Sequence, residues 1–189
     1  MKLFSSVLFF ANVLFCLSEL ARGQFNYCVE FLEPEVFAAC DDHPDYYLDK
    51  AVDMSTISIQ HSSEGNLLVN GSVKMIKSFP ADLPVKIETF KKERGEWQPT
   101  VFTSKRKDVC IAAFDDSELW AKYWENTPDE QKTCPLTEGQ NLDLNISEEI
   151  SFNLPTPNIE GEYKSRLELG TPSDDFYLCT DVFIVMHRL

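Results

Sequence analysis

The sequence predicts an all-β protein of two antiparallel sheets packed face to face, with one short helical insert near residues 108–126. Three observations carry this. Apolar and polar residues alternate with period two in short segments along the chain, Pro and Gly punctuate them, and helical spacing occurs only between Cys110 and Cys134.

Residues 1–23 precede that pattern. Lys2 is followed by the apolar run Leu3–Leu17, and Ala21-Arg22-Gly23 places small residues at the cleavage positions before Gln24. This reads as a signal peptide, too short to span a bilayer. The expected mature chain is 24–189, one domain, secreted and extracellular. No later stretch approaches the ~20 apolar residues of a spanning helix, so no stable membrane insertion is expected.

The mature chain opens on a strand in which Phe25, Tyr27, Val29 and Phe31 alternate with polar neighbours until Pro34. The stretch Asp41–Asp45 is a polar loop without a cation-binding ligand pattern. Ser55, Ile57 and Ile59 make a second strand, and Leu67–Met75 a third, with Asn70, Ser72 and Lys74 on its polar face. Val85, Ile87 and Thr89 begin a hairpin that turns at Gly95 and returns through Trp97 and Phe102, Pro99 marking a bulge or an edge. In the insert, Asp115 and Glu118 have capping-box spacing, and Trp120, Tyr123 and Trp124 share one helical face. The insert therefore reads as a mobile aromatic flap stapled to the hairpin.

Strands follow at Leu142–Ile146, Ile150–Leu154 and Tyr163–Leu169. The last, Phe176–Met186, is apolar on both faces and should be central. Many short strands with frequent turns indicate an immunoglobulin-like β-sandwich. Asn70-Gly71-Ser72 and Asn145-Ile146-Ser147 are glycosylation sequons, and the alternation puts Asn70 and Asn145 on wet faces.

The net charge of −14 makes nucleic acid and anionic membranes implausible partners. Bases nevertheless crowd the hairpin from Lys86 to Lys107, either as solvated ends or as a docking patch for an acidic partner. His43, His61 and His187 sit in polar or terminal settings. There is no nucleophile elbow, zinc-protease motif, phosphate loop or metal-ligand spacing, so neither an enzyme nor a metal or cofactor is expected.

With Cys16 in the leader, Cys28, Cys40, Cys110, Cys134 and Cys179 remain, an odd number in a compartment that favours disulfides. Cys110 and Cys134 are the natural local pair. An N-terminal cysteine, Cys28 or Cys40, is left for Cys179. In the chain-entropy view these bridges would stabilise by roughly 3 and 5 kcal/mol.

Several stretches together resemble one family. They are Glu33-Pro34-Glu35-Val36-Phe37 leading to Cys40, Gly95-Glu96-Trp97-Gln98-Pro99-Thr100-Val101-Phe102, Lys107-Asp108-Val109-Cys110, Trp120-Ala121-Lys122-Tyr123-Trp124 and Gly161-Glu162-Tyr163. They resemble, in the same order along nearly the whole mature chain, the insect CheB family of secreted chemosensory proteins. That family is similar to the ganglioside-activator and ML (lipid-recognition) sandwiches. The resemblance implies an ML-like sandwich with an apolar inter-sheet cavity, no catalysis, and a part in sensing cuticular-hydrocarbon pheromones. It also implies the pairs Cys40–Cys179 and Cys110–Cys134. Cys28 departs from the family pattern, and Cys134-Pro135 is similar to a wider group of insect secreted proteins.

The aromatic residues give a separate reason to expect lipid. Phe102, Phe114, Trp120 and Trp124 gather around the stapled insert and, with Phe152 and Phe183, are the expected ligand-lining side chains. The expected function is a non-catalytic binder of neutral apolar lipids or hydrocarbons, with a sensory-cell receptor as a further partner. The alternatives are a protein-interaction module, or an activator that presents lipid to a receptor or an enzyme.

Overall fold

In the computed structural model, the described residues are 25–32, 37–61, 67–118, 120–148, 151–154 and 156–188. The segment read as a signal peptide lies outside them, as do Pro34, Ile150 and Pro155. The strands are β1 (Phe25–Phe31), β2 (Phe37–Ala39), β3 (Val52–Asp53), β4 (Ser58–His61), β5 (Leu67–Met75), β6 (Val85–Glu93), β7 (Glu96–Arg106), β8 (Asn141–Glu148), β9 (Ser151–Leu154), β10 (Gly161–Leu169) and β11 (Leu178–Arg188). Helix α1 is Val109–Ala113.

The larger sheet runs β7-β6-β10-β11-β1-β9, with β2 also paired to β11. The smaller is built on β5, which pairs with β3 and β4 at its two ends and with β8 along Leu67–Lys74. Every ladder is antiparallel. The chain is an all-β sandwich. One cluster joins the sheets: Val73, Met75 and Leu142 from the smaller pack with Val85, Leu169 and Leu178 from the larger. A second is built on Val69 and Ile146, with Val29 and Phe31 packed against it from β1.

Local chemistry explains the main turns. Arg94 and Gly95 both take positive φ (52° and 88°) between the paired residues Glu93 and Glu96, a two-residue turn that matches strand twist. At Gly71 (φ 135°) a Cβ would lie 2.4 Å from the Thr56 carbonyl oxygen, so only glycine lets the β3–β4 connection close onto β5. Pro99 lies opposite Phe90 in a register shift of β7, an edge strand among the described residues, so the bulge and the edge coincide. The last strand is central, as its two-sided apolarity requires.

Several sequence-based boundaries change. The helix begins at Val109, because Asp108 Oδ1 accepts from the N–H groups of Cys110 (2.8 Å) and Ile111 (3.2 Å). Asp115 instead closes a turn on Ser117, and Glu118 pairs with Arg106, so neither caps a helix. Ala121–Trp124 is a lone 3₁₀ turn. Ile57 sits in the connection between β3 and β4 rather than in a strand, and β2 was not anticipated.

Both implied disulfides are present, Cys40–Cys179 and Cys110–Cys134, and Cys28 is free. Beside the first lies a buried charge network on the outer face of the larger sheet. The Asp181 side chain, 2% exposed, accepts from Arg166 Nε (3.0 Å) and Nη2 (3.2 Å), and Lys164 Nζ is 3.6 Å away. Arg166 also reaches Asp42 at 2.9 Å. Replacing Asp181 by Ala would take Lys164 from its carboxylate and leave Arg166 with only the exposed Asp42. It should cost about 3–5 kcal/mol in urea unfolding, far more than a surface pair would.

Glu168 provides an acid-side test. Burial pushes its pKa up, but hydrogen bonds from the Tyr177 hydroxyl (2.8 Å) and Lys86 (3.1 Å) outweigh burial and hold it below the ordinary 4.5. A depressed carboxylate stabilises the fold fully above its unfolded value and loses that contribution as pH falls through the folded one. Thermal melts should therefore show stability declining below about pH 4.5, with a shallower decline in Glu168→Gln.

Candidate ligand-binding site

The disulfide-bracketed segment is anchored to both sheets. At its start Val109 N–H donates to Leu83 O (2.8 Å), at the open end of the β6–β7 hairpin. Trp120 Nε1 folds back to donate to Ala112 O (2.7 Å), and Phe114 meets Trp124 edge-on at 5.9 Å. Farther along, the segment reaches β8. Thr127 Oγ1 donates to Asp143 O (2.6 Å), Asn126 Nδ2 to Asn145 O (2.9 Å), and Asp143 N–H donates to Gln131 Oε1 (2.8 Å). Edge backbone groups that would otherwise need water are thereby satisfied. The insert is a pinned side wall and not a free flap.

That wall divides the aromatic trio expected on one face. Phe114, Trp120 and Trp124 pack against the main core cluster, whereas Tyr123 packs against the Val69–Ile146 cluster. Burial pushes the Tyr123 phenol up to about 12 from an ordinary 10.0.

The inner face of the larger sheet follows from its register. Leu167 belongs to the inter-sheet core and pairs with Thr180, so Val182, Ile184 and Met186 on β11 point the same way. Phe31 and Val29 pair with Ile184 and Met186. At one end of the sheet the inward residues are sealed, with Val85 at 5%, Leu169 at 4% and Leu178 at 5% exposure. Toward the other end Val182, Ile184 and Met186 are only half-buried, although β11 has neighbours on both edges. A hydroxyl strip lies between these ends: Thr89 Oγ1 is 3.2 Å from Ser165 Oγ, and Ser104 Oγ is buried without a partner among the described residues.

The structure brings together only part of the expected set. Phe114, Trp120 and Trp124 converge. Phe102 is half-buried within the irregular part of edge strand β7. Phe183 is displaced from the inter-sheet space, because it alternates with Val182 and Ile184 and therefore occupies the outer face. There its ring is 5.8 Å from Trp97, with Lys164 Nζ 5.8 Å from the same Trp97 ring. The side chain of Phe152 lies outside the described residues. Val182, Ile184 and Met186, with Phe31 and Val29 paired beside the last two, face inward and are not among the expected site residues. Counting alternate positions forward from Leu178 places the first three on that face.

Elsewhere, a half-open surface pocket of about 280 Å³ is lined by Asp45, Tyr46, Lys50, Lys77, Asp175 and Tyr177, among others. Among the described residues no His, Cys, Asp and Glu group is arranged to hold a metal, and no helix is long and apolar enough to cross a membrane. No protein-family model matches the chain, and a search among curated proteins found no match.

The Tyr123 environment is testable by titration. Between pH 10 and about 12 the unfolded chain ionises this phenol while the folded chain keeps it neutral, so stability should fall across that window. In a 295 nm titration Tyr123→Phe should remove one ionisation near pH 12, and it should lessen the alkaline loss of stability.

Proposed function

We propose that the protein is a secreted, non-catalytic binder of neutral apolar lipids or hydrocarbons, which it holds between its two sheets at the end where Val182, Ile184 and Met186 face inward. The half-buried Val182, Ile184 and Met186 carry this reading. Inward-facing aliphatics on a central strand would be sealed if the smaller sheet closed over them as it does over Leu169 and Leu178. An alkyl chain supplies the missing apolar contact. At about 0.8 kcal/mol per buried CH₂, a chain of ~20 carbons gains a gross ~16 kcal/mol. Association costs roughly 4–15 kcal/mol, so affinity needs no polar anchor.

The net charge of −14 disfavours anionic headgroups at long range and points to hydrocarbons, alcohols or esters over fatty acids. Two disulfides fit an oxidising compartment. The sequence resemblance to insect CheB proteins, and through them to ML-like sandwiches, supports a chemosensory setting, with delivery to a receptor on a sensory cell. A docking role draws on a different observation. The outer face of the larger sheet carries Phe90, Trp97 and Phe183 with Lys164 over the first two rings, which would suit a protein partner.

Native mass spectrometry before and after organic extraction should reveal a co-purifying apolar ligand. Ile184→Lys should weaken a neutral fluorescent naphthylamine probe about tenfold or more, since it places a charge in an apolar space. Phe183→Ala should leave the probe's affinity nearly unchanged. Neutral long-chain esters should displace the probe better than the matching carboxylates. A protein that purifies empty and binds the probe equally well with Ile184→Lys would leave the docking role in place of the lipid one.

A further inference from the structure

The two sequons are distant in sequence and adjacent in the fold. Asn70 on β5 is the direct cross-strand partner of Asn145 on β8, a relation that puts the two Cα atoms about 4.5–5.5 Å apart. The neighbouring pairs Val69–Ile146 and Val73–Leu142 are buried between the sheets. By alternation Asn70 and Asn145 face outward, and both are exposed. Their surroundings on that face are small and polar: Ser58 pairs with Asn70 on the other side, and Ser72 pairs with Asp143 next along the ladder.

The geometry points to a twin N-glycan site, in which Asn70 and Asn145 both carry an oligosaccharide and the two sugars rise from one spot to cover the outer face of the smaller sheet. This rests on the secretory part of the function proposed above and is independent of lipid binding. The co-reactant is a lipid-linked oligosaccharide pyrophosphate. At each site the side-chain nitrogen Nδ2 forms a bond to the anomeric carbon, the anomeric C–O bond breaks, and the lipid pyrophosphate departs. The amide gives up one N–H proton to the transferase.

The fold fixes when this happens. Ser72, whose hydroxyl completes the first sequon, donates its N–H to Thr56 Oγ1 at 3.1 Å, and its own Oγ lies 3.3 Å from that atom. Gly71 is backed against the Thr56 carbonyl, so pairing of β5 holds the sequon extended with its Ser72 hydroxyl engaged, although Asn70 itself stays exposed. Transfer therefore precedes pairing. Both sugars leave from the outward face, so neither obstructs the ladder that forms afterwards. In the finished protein each innermost sugar stands beside its twin, where a glycan-removing enzyme must engulf one while displacing the other.

Wild type, Asn70→Gln, Asn145→Gln and the double variant are expressed as the full chain in a vertebrate secretory cell line and weighed intact with peptide N-glycanase. The expected occupancy is two, one, one and none. Under native conditions the enzyme should release the first sugar from wild type several-fold more slowly than from either single variant. The difference should vanish after denaturation. Wild type with fewer than two sugars, or native release at equal rates, would overturn the proposal. If a variant is not secreted, the native and denatured release curves of wild type alone still decide it. A sugar-free chain that begins at Gln24 would fail the twin site alone, whereas a sugar-free chain still beginning at Met1 would fail the secretory reading beneath it.

Discussion

The smaller sheet keeps its place because its outer strand is met, among the described residues, by side chains and not by another strand. Strand β8 presents backbone donors and acceptors along a free edge, and Asn126, Thr127 and Gln131 take up those at Asp143 and Asn145. The same segment starts at the far end of the β6–β7 hairpin, so one stretch of chain fixes both layers. This contact sets where the aromatic wall stands. With the residues near β8 pinned and Cys110 tied to Cys134, Phe114, Trp120 and Trp124 lie against the sealed end of the core. The interior is consequently asymmetric, tight near Leu169 and Leu178 and looser near Ile184.

Charge reinforces the layering. The bases that crowd the hairpin in sequence are not a uniform patch. Lys86 sits between Glu88 and Glu168, Lys92 meets Glu162 at 2.5 Å, and Arg106 pairs with Glu118. Such half-exposed pairs add little stability individually. Their effect is to neutralise the hairpin locally while the chain as a whole stays acidic. The buried Arg166–Asp181 pair differs because its desolvated partners cannot be separated cheaply.

Much of this architecture was legible in the chain. Period-two alternation located most strands, and the two-sided apolarity of Phe176–Met186 marked the central one. What escaped notice depends on partners remote in sequence. Asp115 and Glu118 had the spacing of a cap, but Arg106 claimed Glu118 and the cap fell to Asp108. Strand β2, three residues long, exists through its pairing with β11. Phe183 looked like core material, yet only parity against Leu178 shows its face. The adjacency of Asn70 and Asn145 depends on the β5–β8 register, which no local pattern reveals.

The Cys40–Cys179 bridge closes a loop whose ends are 139 residues apart in sequence. A single protease cut anywhere inside that span would leave the two fragments covalently joined. Such a clipped molecule would keep its mass, apart from one added water, until a reductant separated the pieces. Damage of this kind would be invisible on a non-reducing gel and plain on a reducing one.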